Sequence, residues 1–213
     1  MSDDPSSDHD HPFGDLDQLI NVALKHFDDC IGSLHDDCRA SRIGAEALAT
    51  LQFARASPAT LAAAIGLCRS ADETCRRFGA AILGQLGHCP DNPYGVFQAQ
   101  RYGALEELLR TEMATVADPG VLNSACTALG HLGDRRAVPL ALELIGHADE
   151  DVRFGVVMVL TGHDDEAAIA GLIRLASDPG DDVRDWATFG LGQQIDVDTA
   201  AIRAALHARL GDG

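Results

Sequence analysis

Residues 147–194 read HADEDVRFGVVMVLTG, then HDDEAAIAGLIRLAS, then DPGDDVRDWATFGLGQQ, and one pattern occurs in them twice. Val152-Arg153 and Val183-Arg184 stand 31 residues apart, each behind acidic residues and ahead of an apolar run that reaches a leucine. Self-similarity at this period marks a stacked-repeat protein, in which one helical hairpin cannot bury its apolar face until a neighbour covers it. Working outward, Leu48, Leu83, Leu129, Leu160 and Leu191 fall in register at spacings of 35, 46, 31 and 31. The long spacing contains HCPDNPYGVFQAQR, whose prolines and Asn-Pro step stop a helix, so residues 88–101 read as an inserted loop. The pattern predicts an all-α fold, an α-α superhelix (α-solenoid) of about five helix pairs plus a terminal helix. One domain is expected over 14–211, behind a disordered tail at 1–13.

Local signals agree with that period. Leu16, Leu19, Ile20, Ala23, Leu24 and Phe27 recur at three- and four-residue steps, one stripe of an amphipathic helix. A second helix follows over about 37–54, after turn signals in IGSLHDD. Ser57-Pro58 opens a helix to about Arg69, and Asp72 caps the next, which Gly87 stops. Further helices are expected at 103–116, up to Leu132, through Pro139, over 152–161, from an Asp164 cap to Ala176, over 183–193 and over 197–210. Pro139 removes a backbone bond and bends the first turn of its helix.

Composition bounds the function. The chain has 213 residues, 46% of them hydrophobic, only 5% aromatic, with 33 Asp and Glu against 16 Lys and Arg, a formal net charge of -17. Such a surface repels phosphate backbones and argues against nucleic acid as partner; it attracts basic proteins, less so as salt rises. Neither a secretory signal nor a membrane-spanning apolar run occurs, which reads as a cytoplasmic protein with no membrane association. Six scattered cysteines (Cys30, Cys38, Cys68, Cys75, Cys89, Cys126) lack CxxC spacing and read as reduced, buried apolar residues. No cofactor or metal is called for: His-Asp at His9, His35 and His163 falls in a tail and two turns, where Asp36 and Asp164 read as caps. No GxSxG elbow or P-loop is present.

The stretch GDRRAVPLALELIGHADEDVRFGVVMVL at 133–160 resembles a near-complete short bacterial HEAT repeat: a Gly-Asp turn, a proline-bent first helix, an acidic turn, then Asp-Val-Arg opening the second helix. Worn copies extend over about 38–210, with Leu122 and Ser41 in place of the motif arginine. The resemblance implies that Asp151, Arg153, Asp182 and Arg184 form a structural ladder between repeats. CRRFGAAILGQL, then Cys89, Asp91, Asn92 and Val96-Phe97, then DVRDWATFGLGQQ and IRAALHARL resemble, in the same order, the YibA-type HEAT proteins encoded beside Rhs polymorphic toxins. That group continues with further repeats, and its members are regarded as immunity proteins.

HEAT-like folds include enzymes, each with its own residue requirement. Di-iron hydroxylases of this fold use His-Glu pairs, and none of the nine histidines precedes Glu. The related DNA glycosylases need a basic groove, which this charge opposes. A HEAT-like lyase or tetrapyrrole-handling protein, or a scaffold subunit of a larger complex, remains the alternative to a non-catalytic protein-binding module with an acidic concave surface.

In such arrays the second helices line the concave face, and two positions per helix point outward: Arg77 and Ala81, Asn123 and Thr127, Phe154 and Met158, Asp185 and Phe189. With Trp186 beside them, Phe154, Met158 and Phe189 have the make-up of an interface core within a charged rim; the competing reading packs them against neighbouring helices. Tyr94 and Phe97 in the loop either anchor a partner or cover a repeat edge. The expected partner is another protein, in the sharpest form a basic toxin domain, and oligomeric state is left open.

Overall fold

The structure is a computed structural model that describes residues 14–28, 39–115 and 118–210. The expected tail, the turn at 31–37 and Cys30 and Cys38 lie outside the described residues. Among the described residues there are eleven α-helices and no β-strand, only an isolated bridge between Cys89 and Asn92. The fold class is an all-α solenoid. The chain packs as two compact units, Met1–Phe97 and Gln98–Gly213.

The first unit holds α1 (Leu16–Lys25), α2 (Arg39–Ala49), α3 (Pro58–Cys68) and α4 (Glu73–Gln85). Asp15 begins α1 with a reciprocal capping box, accepting from the Gln18 N–H while the Gln18 side chain accepts from its own. Ser57 and Asp72 cap α3 and α4 by accepting from Thr60 and Cys75. Leu19, Phe27, Leu51, Phe78, Ile82 and Leu83 form its core, with the Phe27 and Phe78 rings edge to face at 5.1 Å. A π-helical turn, Thr50–Ala54, extends α2 and moves its buried leucine: Leu51 is fully buried while Leu48 is half-buried. Leu51 stands 32 positions ahead of Leu83, closer to the repeat period than the spacing from Leu48.

The second unit holds α5 (Gln98–Met113), α6 (Pro119–Leu132), α7 (Val138–Glu143), α8 (Glu150–Leu160), α9 (Glu166–Leu175), α10 (Asp181–Phe189) and α11 (Ala200–Arg209). Within it α6 and α8 make the most extensive contact. Glycine allows it: a Cβ on Gly130 would lie 2.4 Å from the Met158 carbonyl oxygen, and one on Gly155 2.9 Å from the Cys126 Cβ. Leu129, Leu160 and Leu191, three of the registered leucines, are buried here.

Several boundaries differ from the sequence reading. Helix α5 starts at Gln98, five residues before Gly103, so the non-helical insertion closes at Phe97 and Arg101 and Tyr102 are buried helical residues. Arg101 joins the helix because QAQRYGALEELL carries no breaker after Pro93, and burial pulls its guanidinium pKa down to about 10. Asp165, not Asp164, caps α9, accepting from the Ala168 N–H; Asp164 instead accepts from the Asp196 N–H, 32 residues on. Thr199 caps α11, which delays the last helix to Ala200. The segment before α7 begins as a 3-10 turn, Arg135–Ala137, so Pro139 falls in the first turn of α7, where the missing N–H removes no intrahelical bond. Gly133, at φ 62°, supplies the left-handed stop that ends α6.

Candidate docking surface

The motif arginines act on the turn behind them. Arg153 Nη1 donates to the His147 and Ala148 carbonyls at 2.9 and 3.0 Å, six and five residues back. Arg184 repeats this with Asp178 and Pro179 at 2.7 and 2.9 Å, and Arg76 with Ser70 and Ala71 at 3.1 and 3.0 Å. Each arginine thereby ties its second helix to the preceding turn and satisfies carbonyls that helix geometry leaves unpaired. Helix α6, where Leu122 stands at this position, has a buried leucine there instead.

Arg153 also reaches the next repeat. Its Nε and Nη2 grip the two carboxylate oxygens of Asp178, both at 2.8 Å, with side chains 10% and 6% exposed. Burial pushes the Asp178 carboxyl up, but the Arg153 fork and the Gly180 N–H outweigh it and hold the pKa below the usual carboxylate value. The bond to Asp178 raises the Arg153 pKa in turn. Asp178 was missed in the sequence. Its signal was the DPG turn of the next repeat, an acid 25 residues beyond Arg153. Asp151 and Asp182 take no part in these bonds; both are exposed in the first turns of α8 and α10, where an acid favours the helix dipole. Arg184 pairs with Asp181 on its own helix.

Phe154 on α8 and Trp186 and Phe189 on α10 converge. Trp186 lies edge to face against Phe154 at 5.8 Å and against Phe189 at 5.7 Å, so the three rings form one chain across two helices. Trp186 and Phe189 remain 44% and 45% exposed; Phe154 and Met158 are half-buried. Neighbouring helices therefore cover part of this patch and leave a contiguous aromatic surface. Asp185 is exposed beside it and accepts from Arg209 Nη2 of α11 at 2.8 Å.

The other candidates are not part of this patch. Asn123 on α6 is half-buried, and its Oδ1 accepts from Thr127 at 3.2 Å. Arg77 belongs to the first unit, paired with Asp28 at 3.0 Å and lying over the Phe27 ring. Tyr94 and Phe97 lie in the insertion, which is closed on itself: Asn92 Nδ2 donates to the Gly95 carbonyl at 2.7 Å, Cys89 and Asn92 bridge, and the Val96 N–H donates to Leu86. Tyr94 is half exposed, and Phe97 holds a φ of 57°, unusual for a bulky residue. Burial pushes the Cys126 thiol up to about 12, which makes it a packing residue. No group of three metal-ligating side chains occurs among the described residues, and no helix there is long and apolar enough to cross a membrane.

Residues 105–192 match the HEAT-repeat family, the segment that holds Arg153, Arg184 and the aromatic chain. Among solved structures it is similar to YibA of E. coli, with 23% identity, a TM-score of 0.62, and coverage of 91% of this chain and 68% of that one. An engineered protein also aligns, at 17% identity and a TM-score of 0.48 over 90% of this chain and 83% of its own. No curated protein matches the chain. HEAT repeats commonly mediate protein–protein interaction.

Proposed function

We propose that this chain is a non-catalytic, cytoplasmic protein-binding module that docks a basic protein on the second-helix surface of α8 and α10. The observation that carries this reading is the Phe154–Trp186–Phe189 chain, exposed at two of its three rings and bordered by exposed acids. Aromatic anchors inside a polar rim have the composition of interaction hot spots. The net charge of -17 steers basic partners toward it. In its finer form, supported by the resemblance to YibA-type proteins encoded beside polymorphic toxins, the partner is a toxin domain and the module is its immunity protein. A nuclease, whose nucleic-acid groove is basic, suits that acidic surface best.

The experiment is to mix the purified chain with the toxin domain encoded beside its gene and follow complex formation by size exclusion at low salt. A complex is expected, and its absence overturns the immunity form. Phe154→Asp with Phe189→Asp should abolish the complex while leaving helical content and melting temperature nearly unchanged. The milder Phe189→Ala should weaken binding about tenfold or more, as the loss of a hot-spot residue does. A complex indifferent to both variants places docking elsewhere.

A further inference from the structure

A basic partner can present arginine or lysine to this surface, and the surface selects between them. We propose that the selected side chain is an arginine, stacked on the Trp186 indole and paired with the Asp182 carboxylate; this rests on the docking surface proposed above. Three acids lie on α10, and two already have cations: Asp181 pairs with Arg184, and Asp185 with Arg209. Asp182 is exposed and, among the described residues, has no ion pair or side-chain hydrogen bond. It stands one turn before Trp186, so the two share a face, and helical side chains lean toward the N-terminus, which carries the indole over the turn that holds Asp182. The two phenylalanine rings brace the indole from two directions, at interplanar angles of 80° and 70°. A braced ring loses little freedom when a partner lands on it.

The chemistry favours guanidinium over ammonium. A planar guanidinium stacks on an indole face while its N–H groups reach a carboxylate, and it sheds water more readily than the compact lysine head. A purely apolar segment would bury Asp182 without a partner, and an acidic one would be repelled. The Arg209–Asp185 pair is an internal instance of a guanidinium held at this edge.

Trp186 is the only tryptophan of the chain, so its emission reports on this surface alone. The full chain is titrated at low salt with blocked hexa-arginine, hexa-lysine and hexa-glutamate peptides. Hexa-arginine should change the emission saturably and bind about threefold or more tighter than hexa-lysine, with no response to hexa-glutamate. Asp182→Asn should weaken hexa-arginine about fivefold, whereas neutralising two exposed carboxylates on the first helices, Glu143→Gln with Glu166→Gln, should change it less than about twofold. Equal affinity for the lysine peptide, or an Asp182→Asn effect no larger than that control, overturns the arginine assignment. The two levels separate with the neighbour-encoded protein. Capture that needs Phe154 and Phe189 but shows no arginine preference sinks only this inference, while capture indifferent to those residues sinks the docking reading and this inference with it.

Discussion

Removing Asp178 should be among the costlier single changes in the second unit. Asp178→Ala takes away both acceptors of the Arg153 fork, each at 2.8 Å, and the acceptor of the Gly180 N–H at 2.9 Å. Arginine does not give up its proton in proteins, so a largely buried cation is left with Nε and Nη2 unanswered. Orphaning one partner of a buried pair costs about 3–5 kcal/mol. A cleft of about 350 Å³ lined by His147, Arg153, Arg174 and Asp178 admits water to the orphan and sets the expectation at the low end, near 3 kcal/mol. Arg184→Ala is the internal comparison. Its acid, Asp181, has a side chain 86% exposed, so that loss is mainly two carbonyl bonds and should cost about 1 kcal/mol. Urea unfolding followed by Trp186 emission reads the unit that contains both arginines. With a slope of about 2 kcal/mol per molar, Asp178→Ala should lower the midpoint by about 1.5 M and Arg184→Ala by about 0.5 M. Replacing both partners, Arg153→Met with Asp178→Leu, should recover part of the loss, because no charge is left buried alone while the two carbonyl bonds of Arg153 and the Gly180 bond stay broken. Equal costs for Asp178→Ala and Arg184→Ala, or strictly additive effects in the double variant, would refute the reasoning.

Glycine substitutions and acid should also change stability measurably. Gly130→Ala should destabilise by about 2 kcal/mol, since its Cβ meets the Met158 carbonyl and the overpacking exceeds the gain in helix propensity; Gly103→Ala, with nothing near its Cβ, should stabilise by about 0.5–1 kcal/mol, both read by thermal melts. Acid should weaken the fold through Asp178: its carboxyl lies below the unfolded value of about 3.9, so its contribution is present above that pH and is lost as pH falls through the folded value. Arg153 is shifted upward from a value already far above neutrality and adds no change in this window. Melts at pH 5, 4 and 3 should show a decline in Tm that is shallower in Asp178→Asn.

The repeat was legible in the sequence because it is local chemistry repeated. Caps such as Ser57 and Asp72 and the turn at Gly133 depend on residues within a few positions, and the leucine register repeats that local pattern along the chain. What the sequence hid depended on partners far along the chain or on backbone geometry. The π-helical turn after Ala49 exchanges Leu48 for Leu51 without any composition signal. Asp178 is recognisable only once Arg153 is seen to cross into the next turn. The α5 start at Gln98 was obscured by the prolines ahead of it, which end one element without saying how soon the next begins.

The aromatic residues divide along the same line. Spacing alone places Phe154, Trp186 and Phe189 at positions that serve equally for core and for surface, and only the exposures decide between them. The two copies of Asp-Val-Arg are alike where they bond the turn behind them and differ in the residues that follow, Phe154 in one and Asp185-Trp186 in the other. A stacking device must be repeated to propagate an array, whereas recognition of one partner needs residues that are not repeated. In the proposed docking, the unlike positions on like helices are therefore where specificity would reside, and the arginine staples beneath them would hold those helices in place without touching the partner.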